Sequence, residues 1–446
     1  MTLRYARSTQ RVEDVAIELR DLRETVTDWT DRRAVELPIF ARHCAILARL
    51  IGDMLAALDQ DLAAAPLEDT GATYEACRAI EQGIAVVRRL FDWYRMRYDQ
   101  RDDPALRDVL HAADRVVRSC WAPAFGHLPE PPPGPLPYVD ARFDAMATVR
   151  ETVPVDLMGP ADSVVADFVR ILPVPTIALP FAVRHASWWL AVIAHETGHH
   201  VEFDADPALR EQRDAAIAAV VTDARWLKWS NEVFADVYSS LALGPAAAWT
   251  VEELVHATEA RRMIPTDRYP PPAVRLALLA HAGRDGAPQE SWPAYEAATD
   301  DVTVRDWFAA VPAVSVALAG LPVADRALDR VLVPRPDWFG QGGRVQEWAT
   351  QLLRAQPVFI PRTDVRPAPR LLVASGVMAY RHLAATADGP VAEADRRRLH
   401  DNLLEALLTA GELGTLEEAP DATRPDLTVL SRSLVARLRE HLVAAS

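Results

Sequence analysis

The sequence predicts a predominantly α-helical protein of the α+β class, with a small sheet beside one central helix. Three observations lead there. Apolar residues recur at three- and four-residue spacing, as in Val15-Ala-Ile-Glu-Leu and Ile46-Leu-Ala-Arg-Leu-Ile. One apolar stretch, Ile171-Leu-Pro-Val-Pro-Thr-Ile-Ala-Leu-Pro180, reads as extended chain. Proline clusters divide the rest into segments. At 446 residues the chain is too long for one compact core, and two or three domains are expected.

The elements follow in order. From about Val12 to Phe125 the chain reads as helices, with a third over Tyr74 to Tyr98 and a fourth from Pro104 to about Cys120. Proline is favoured near such a helix start. We expect residues 1–128 to form a helical N-terminal domain, a packing cap or a partner-binding module. Leu128-Pro-Glu-Pro-Pro-Pro-Gly-Pro-Leu-Pro137 is too proline-dense for helix and is expected to be a stiff linker. That linker and its lead-in cover 129–160. The catalytic core is expected over 161–285. It starts with strand over Ser163 to Pro180, where Pro173 and Pro175 point to a sheet edge that can pair with an extended peptide. Helices are expected over Ser187 to Phe203, Ser230 to Leu243 and Ala273 to His281. Residues 286–446 are expected to be mostly helical, broken at Pro334-Arg-Pro336 and at Pro361 to Pro369, with two helices between Ala394 and Ala445.

Composition narrows the function. The net charge of −15 repels nucleic acid and anionic membranes, so neither is an expected partner. Lys228 is the sole lysine, a bias that a GC-rich codon repertoire explains. Cys44, Cys77 and Cys120 are odd in number and widely spaced, which suits core packing rather than a disulfide framework or a zinc knuckle. The N-terminus lacks the apolar core of a signal peptide. The most apolar stretch, Val311 to Ala324, is shorter than a membrane span. A reducing, cytoplasmic location is the expectation.

The chemistry concentrates in Ile193-Ala-His-Glu-Thr-Gly-His-His-Val201. Helical positions i and i+4 share a face, so His195 and His199 can address one metal ion. Glu196 sits where it can take a proton from a water on that metal. His200 is turned about 100° away. A second segment, Trp229-Ser-Asn-Glu-Val-Phe-Ala-Asp236, sets Glu232 and Asp236 on one helical face. A catalytic zinc site needs three protein ligands and an open position, and Glu232 can be the third. Asp236 can hold the free ring nitrogen of a ligating histidine.

His-Glu-x-x-His followed on a later helix by Asn-Glu-x-x-x-Asp resembles the gluzincin zinc metallopeptidases, the thermolysin-like branch of the zincins. The likeness rests on His195, Glu196 and His199 with Asn231, Glu232 and Asp236, about fifty residues in all. It implies Zn2+ on His195, His199 and Glu232, Glu196 as general base and Asp236 as partner of a ligand histidine. It also implies a zincin-like core with a small sheet and an active-site helix, here flanked by N- and C-terminal helical regions that carry no resemblance. The metzincin pattern would need glycine and a ligand at positions held by Glu202 and Ala205; Asp204 falls one residue short and is kept as an alternative ligand. Enzymes of the resembled group also use a tyrosine or histidine to stabilise the oxyanion. Tyr269, stiffened by the prolines after it, is the first candidate here, ahead of His281 and Tyr238. Arg275 can bind a substrate carboxylate or form an ion pair.

The expected function is therefore a zinc metallopeptidase acting on a peptide or protein substrate, with the helical regions open to a protein partner. Two alternatives stand beside it. One is a regulatory or binding protein on a zincin core with restricted or no proteolytic activity. The other is an interaction protein whose His-Glu-x-x-His is accidental.

Overall fold

The computed structural model describes residues 3–125, 128, 131–141, 145–148, 153–157, 163–254, 261, 263–282, 301–323, 325–333, 335–339, 342–410 and 425–445. Pro129, Pro334 and the expected boundary between 285 and 286 lie outside them. In chain order the α-helices are α1 (Leu3–Glu36), α2 (Ala41–Ala63), α3 (Thr70–Asp99), α4 (Arg107–Phe125), α5 (Ser163–Ile171), α6 (Val192–Asp204), α7 (Leu209–Val220), α8 (Arg225–Lys228), α9 (Ser230–Leu243) and α10 (Pro245–Leu254). They continue with α11 (Pro272–Ala282), α12 (Val302–Ala319), α13 (Leu328–Leu332), α14 (Arg344–Leu353), α15 (Ala368–Thr386), α16 (Glu393–Thr409) and α17 (Pro425–Ala445). The strands are β1 (Leu136–Asp140), β2 (Met146–Thr148), β3 (Thr176–Pro180), β4 (Pro322–Val323) and β5 (Arg326–Ala327). The protein is thus mostly helical with a small sheet, as the periodicity predicts.

The chain divides into two compact units. The first takes residues 1–99, 150–174 and 415–446. Helices α1, α2 and α3 bury their apolar stripes together, including Leu19, Leu22, Leu47, Leu50, Leu58 and Leu90. Helix α17 returns to this bundle, where Ser431 donates to Asp53 and Arg439 pairs with Asp61 at 2.8 Å. Helix α5 also belongs here. Residues 163–171 were expected as strand, but Val165, Phe168 and Val169 are buried at helical spacing, and that period overrides their β-branched composition.

The second unit takes residues 100–149 and 175–414, and so includes α4, the last helix of the expected N-terminal domain. Pro131, Pro133, Gly134 and Pro135 are buried, and the stretch runs into β1 rather than crossing solvent as a free linker. The sheet order is β1-β3-β2, with β1 parallel and β2 antiparallel to β3. The strand expected at an edge is therefore central; β1 and the short β2 are the edges. Helix α6 follows a 3-10 segment, Ser187–Ala191, whose Trp188 stacks on Tyr380 with ring centroids 4.4 Å apart.

Helices α6 and α9 cross at Gly198. A Cβ there would lie 3.0 Å from Ala235 Cα and 3.1 Å from Tyr238 Cβ, so a larger residue would need its neighbours to give by a few tenths of an ångström. Helix α9 stops at Gly244, whose φ of +58° suits glycine. The contact is held by burial of Val201, Phe234, Val237 and Leu241 in one cluster, each contributing roughly 1.5–3 kcal/mol. The same cluster takes Val304, Trp307, Phe308, Val311, Val314 and Leu318 of α12. By length and composition α12 is long and apolar enough to cross a membrane, once Arg305 and Asp306 are counted in; it starts earlier than the expected Val311 to Ala324 stretch, and 44% of it is buried.

The cysteines are free and buried. Burial pushes the thiols of Cys44 and Cys120 up to about 12, which keeps them protonated core residues.

Candidate metal centre

The site lies wholly in the second unit. Its floor is α6, buried on every face from Val192 to Ala194 and from Glu196 to Glu202. Its wall is α9, which is helical over the residues predicted from sequence. One helix turn separates His195 from His199, and their ring centroids lie 4.9 Å apart at 90°. Across the helix crossing, Glu232 Oε2 sits 3.3 Å from His195 Nε2 and 3.5 Å from His199 Nε2. One ligand atom from each of the three residues lies within 4.8 Å of the other two, close enough for all three to hold one metal ion.

Asp236, one turn further along α9, is fully buried and lies 3.0 Å from His195 Nδ1. It thus faces the ring nitrogen that Glu232 does not. Burial opposes a charge on His195, but Asp236 and Glu232 outweigh it and carry the ring up to about 9. Burial likewise opposes the charge on Glu232, yet the two histidines hold it well below the usual carboxylate range. Asp236 is held down, against burial, by Arg275 and then by His195.

Two carboxylates four residues apart on one helix would repel each other. Each has its own arginine. Arg275 of α11 grips Asp236 with Nε and Nη2 at 2.5 and 2.8 Å, so it forms the ion pair rather than facing outward as a free carboxylate receptor. Arg268 donates from Nε to Glu232 Oε1 at 2.5 Å. Tyr269 is near both, with the Arg275 and Arg268 guanidinium carbons 4.7 and 5.4 Å from its ring centroid. A tight turn presents these residues: Thr266 Oγ1 accepts from the Tyr269 amide at 2.8 Å, and the Trp229 indole donates to the Thr266 carbonyl at 3.1 Å.

Glu196 faces the same space. Its Oε2 accepts from the Ala147 amide at 2.6 Å. Ala147 is on the edge strand β2, so the sheet edge meets the acid that the sequence marks as a base. A cavity of about 600 Å³ opens beside His195 and Glu196. Its walls are mainly apolar, from Ala191, Val192, Ala247, Val251 and Leu254, and Tyr269 lines it too. Burial, with Glu232 nearby, pushes the Tyr269 hydroxyl up to about 12, so it is a donor at neutral pH.

The other candidates fall outside. Tyr238 spends its hydroxyl on the Cys120 carbonyl at 2.6 Å, deep in the core. His281 is exposed and does not line the cavity. Asp204 is not in the ligand group, and His200 turns away to within 3.2 Å of the Thr176 carbonyl. Sequence reasoning missed Arg268, Ala147 and Gly198. A charge count signals the first: two carboxylates on a buried apolar helix face need two cations, and Arg268 and Arg275 lie on either side of Tyr269 and its following prolines in the sequence. The Ala147 contact is made by backbone and carries no side-chain signal. Comparison of the chain with protein-family models, with curated proteins and with solved structures finds no match.

Proposed function

We propose that the chain is a zinc-dependent metallopeptidase of the gluzincin type, with a zincin-like core built on α6, α9 and the β1-β3-β2 sheet. The observation that carries this reading is the convergence of His195, His199 and Glu232 beside Glu196 at the mouth of a cavity. Two histidines and one carboxylate are a donor set that suits catalytic zinc and leaves a coordination position open. When bound, zinc supplies a Lewis acid that polarises a carbonyl and brings the pKa of water down to about 7.

The chain's own residues do the rest. Asp236, 3.0 Å from Nδ1, favours a proton on that nitrogen of His195, which leaves Nε2 for the metal. Glu196 takes the proton from the attacking water and hands it to the leaving amine. Tyr269 donates to the oxyanion of the tetrahedral species from the cavity wall. The apolar cavity takes a substrate side chain.

A regulatory or binding protein on the same core is the second reading, and one contact favours it. Glu196 Oε2 is occupied by the Ala147 amide at 2.6 Å, a contact that must break before that oxygen can serve an attacking water. The test is zinc content after exhaustive dialysis, followed by peptide hydrolysis. About one zinc per chain, lost in His199→Ala, with hydrolysis abolished and zinc kept in Glu196→Gln, is the expected result. Bound zinc with no cleavage of a diverse peptide library selects the second reading. No zinc uptake at all rejects both.

A further inference from the structure

We propose that Arg268 is a positioning residue that confines Glu232 to ligation through a single oxygen. The inference rests on the metal reading above and adds to it. The two oxygens of Glu232 have different surroundings. Oε2 faces the Nε2 atoms of both histidines, at 3.3 and 3.5 Å. Oε1 faces away from them and is taken by Arg268 Nε at 2.5 Å. An arginine on the outer oxygen pulls it from the metal and leaves the inner one to ligate. A carboxylate free of that hold would turn both oxygens inward beside the water and raise the coordination number from four to five.

Arg268 is well placed to hold this geometry. Its backbone belongs to the turn closed by Thr266, and that turn is tied by the Trp229 indole to the start of α9, one helical turn before Glu232. Its guanidinium carbon lies 5.4 Å from the Tyr269 ring centroid. The contact with Glu232 is one N–H to one oxygen rather than a bidentate fork. A lysine ammonium can therefore replace it, which it could not do in a forked pair.

The Arg268 side chain is 66% exposed, so substitution leaves the core intact. The full chain is loaded with Co2+ as wild type, Arg268→Gln and Arg268→Lys, and the visible absorption is recorded with kcat and KM. Four-coordinate cobalt absorbs several-fold more strongly than five-coordinate cobalt, so the band reports how Glu232 binds. In Arg268→Gln, cobalt stays stoichiometric, the band weakens several-fold, and kcat falls about 10- to 100-fold with KM held. Arg268→Lys returns the wild-type band. A wild-type band in Arg268→Gln overturns the proposal and makes the contact a surface ion pair. A weakened band that lysine does not restore also overturns it, because charge on Oε1 is then not the cause. Absence of cobalt from the wild type is a separate result: the metal reading itself fails, and this proposal with it.

Discussion

Replacing Asp236 by asparagine removes one charge from a fully enclosed place. Asp236 is 0% exposed and Arg275 is 7% exposed, and two hydrogen bonds of 2.5 and 2.8 Å join them. Removing one partner of a buried pair strands the other charge, at a cost of about 3–5 kcal/mol. Asparagine keeps one acceptor oxygen, which places the expected loss near the lower end, at about 3 kcal/mol. The double variant Asp236→Leu with Arg275→Met separates the two roles of Asp236. An apolar pair of similar volume is often neutral for stability, so most of the loss should return. The His195 ring has no carboxylate at Nδ1 in the single or the double variant, so zinc affinity stays about 10- to 100-fold below wild type in both. Urea unfolding of the metal-free chain gives the stability, and competition with a chelator gives the affinity. Stability of Asp236→Asn within about 1 kcal/mol of wild type would refute the buried-pair argument. Full zinc affinity in the double variant would refute the orienting role.

Two further outcomes follow from the same geometry. The folded His195 sits at about 9 against an unfolded value of 6.5, a gap worth about 3 kcal/mol. Because the folded value is raised, that stability is fully present below pH 6.5 and is lost as pH rises through about 9 in the metal-free chain, which urea midpoints across that range will read. Zinc must displace the same proton, so calorimetry in buffers of different ionisation enthalpy should find proton release at pH 7; none would mean the ring is already neutral. Gly198→Ala gains about 1 kcal/mol of helix propensity but forces a methyl against Ala235 Cα and Tyr238 Cβ at 3.0 and 3.1 Å. Overpacking against backbone costs about 1–3 kcal/mol, so the variant should melt lower and bind zinc more weakly, and a raised Tm would refute the close crossing.

Local periodicity made the ligand set legible. The i, i+4 spacing of His195 with His199 and of Glu232 with Asp236 needs no knowledge of the rest of the fold, and α9 spans the residues read from its apolar pattern. What failed was the strand assignment. Ser163–Ile171 is rich in valine, yet its buried positions recur at helical spacing; Met146–Thr148 is too short to carry any period and is a strand because β3 offers it a partner. The proline segment before β1 looked like a linker because proline excludes helix. The same rigid, donor-poor backbone can also be buried, as Pro131, Pro133 and Pro135 are. Arg268 and the Ala147 amide reach the site from a turn and a sheet edge remote from both motifs in sequence, so no pattern within either motif announces them.

The charges around α9 explain why these contacts belong together. Glu196, Glu232 and Asp236 bring three carboxylates into one enclosed space, and Arg268 and Arg275 bring two guanidinium groups. That leaves one uncompensated negative charge beside a cavity with mainly apolar walls, where screening is weaker than in bulk water. In the metal-free chain the proton on His195 supplies the missing positive charge, which is why the neighbouring carboxylates raise that ring despite its burial. On the proposed function, a divalent ion in place of that proton would leave one excess positive charge, which would favour an oxyanion over a neutral carbonyl. The two arginines are therefore not interchangeable in effect. Arg275 keeps Asp236 ionised for the histidine, whereas Arg268 draws charge from Glu232. Loss of Arg268 should make the site bind a divalent ion with less restraint and activate it less. Loss of Arg275 should strike folding first.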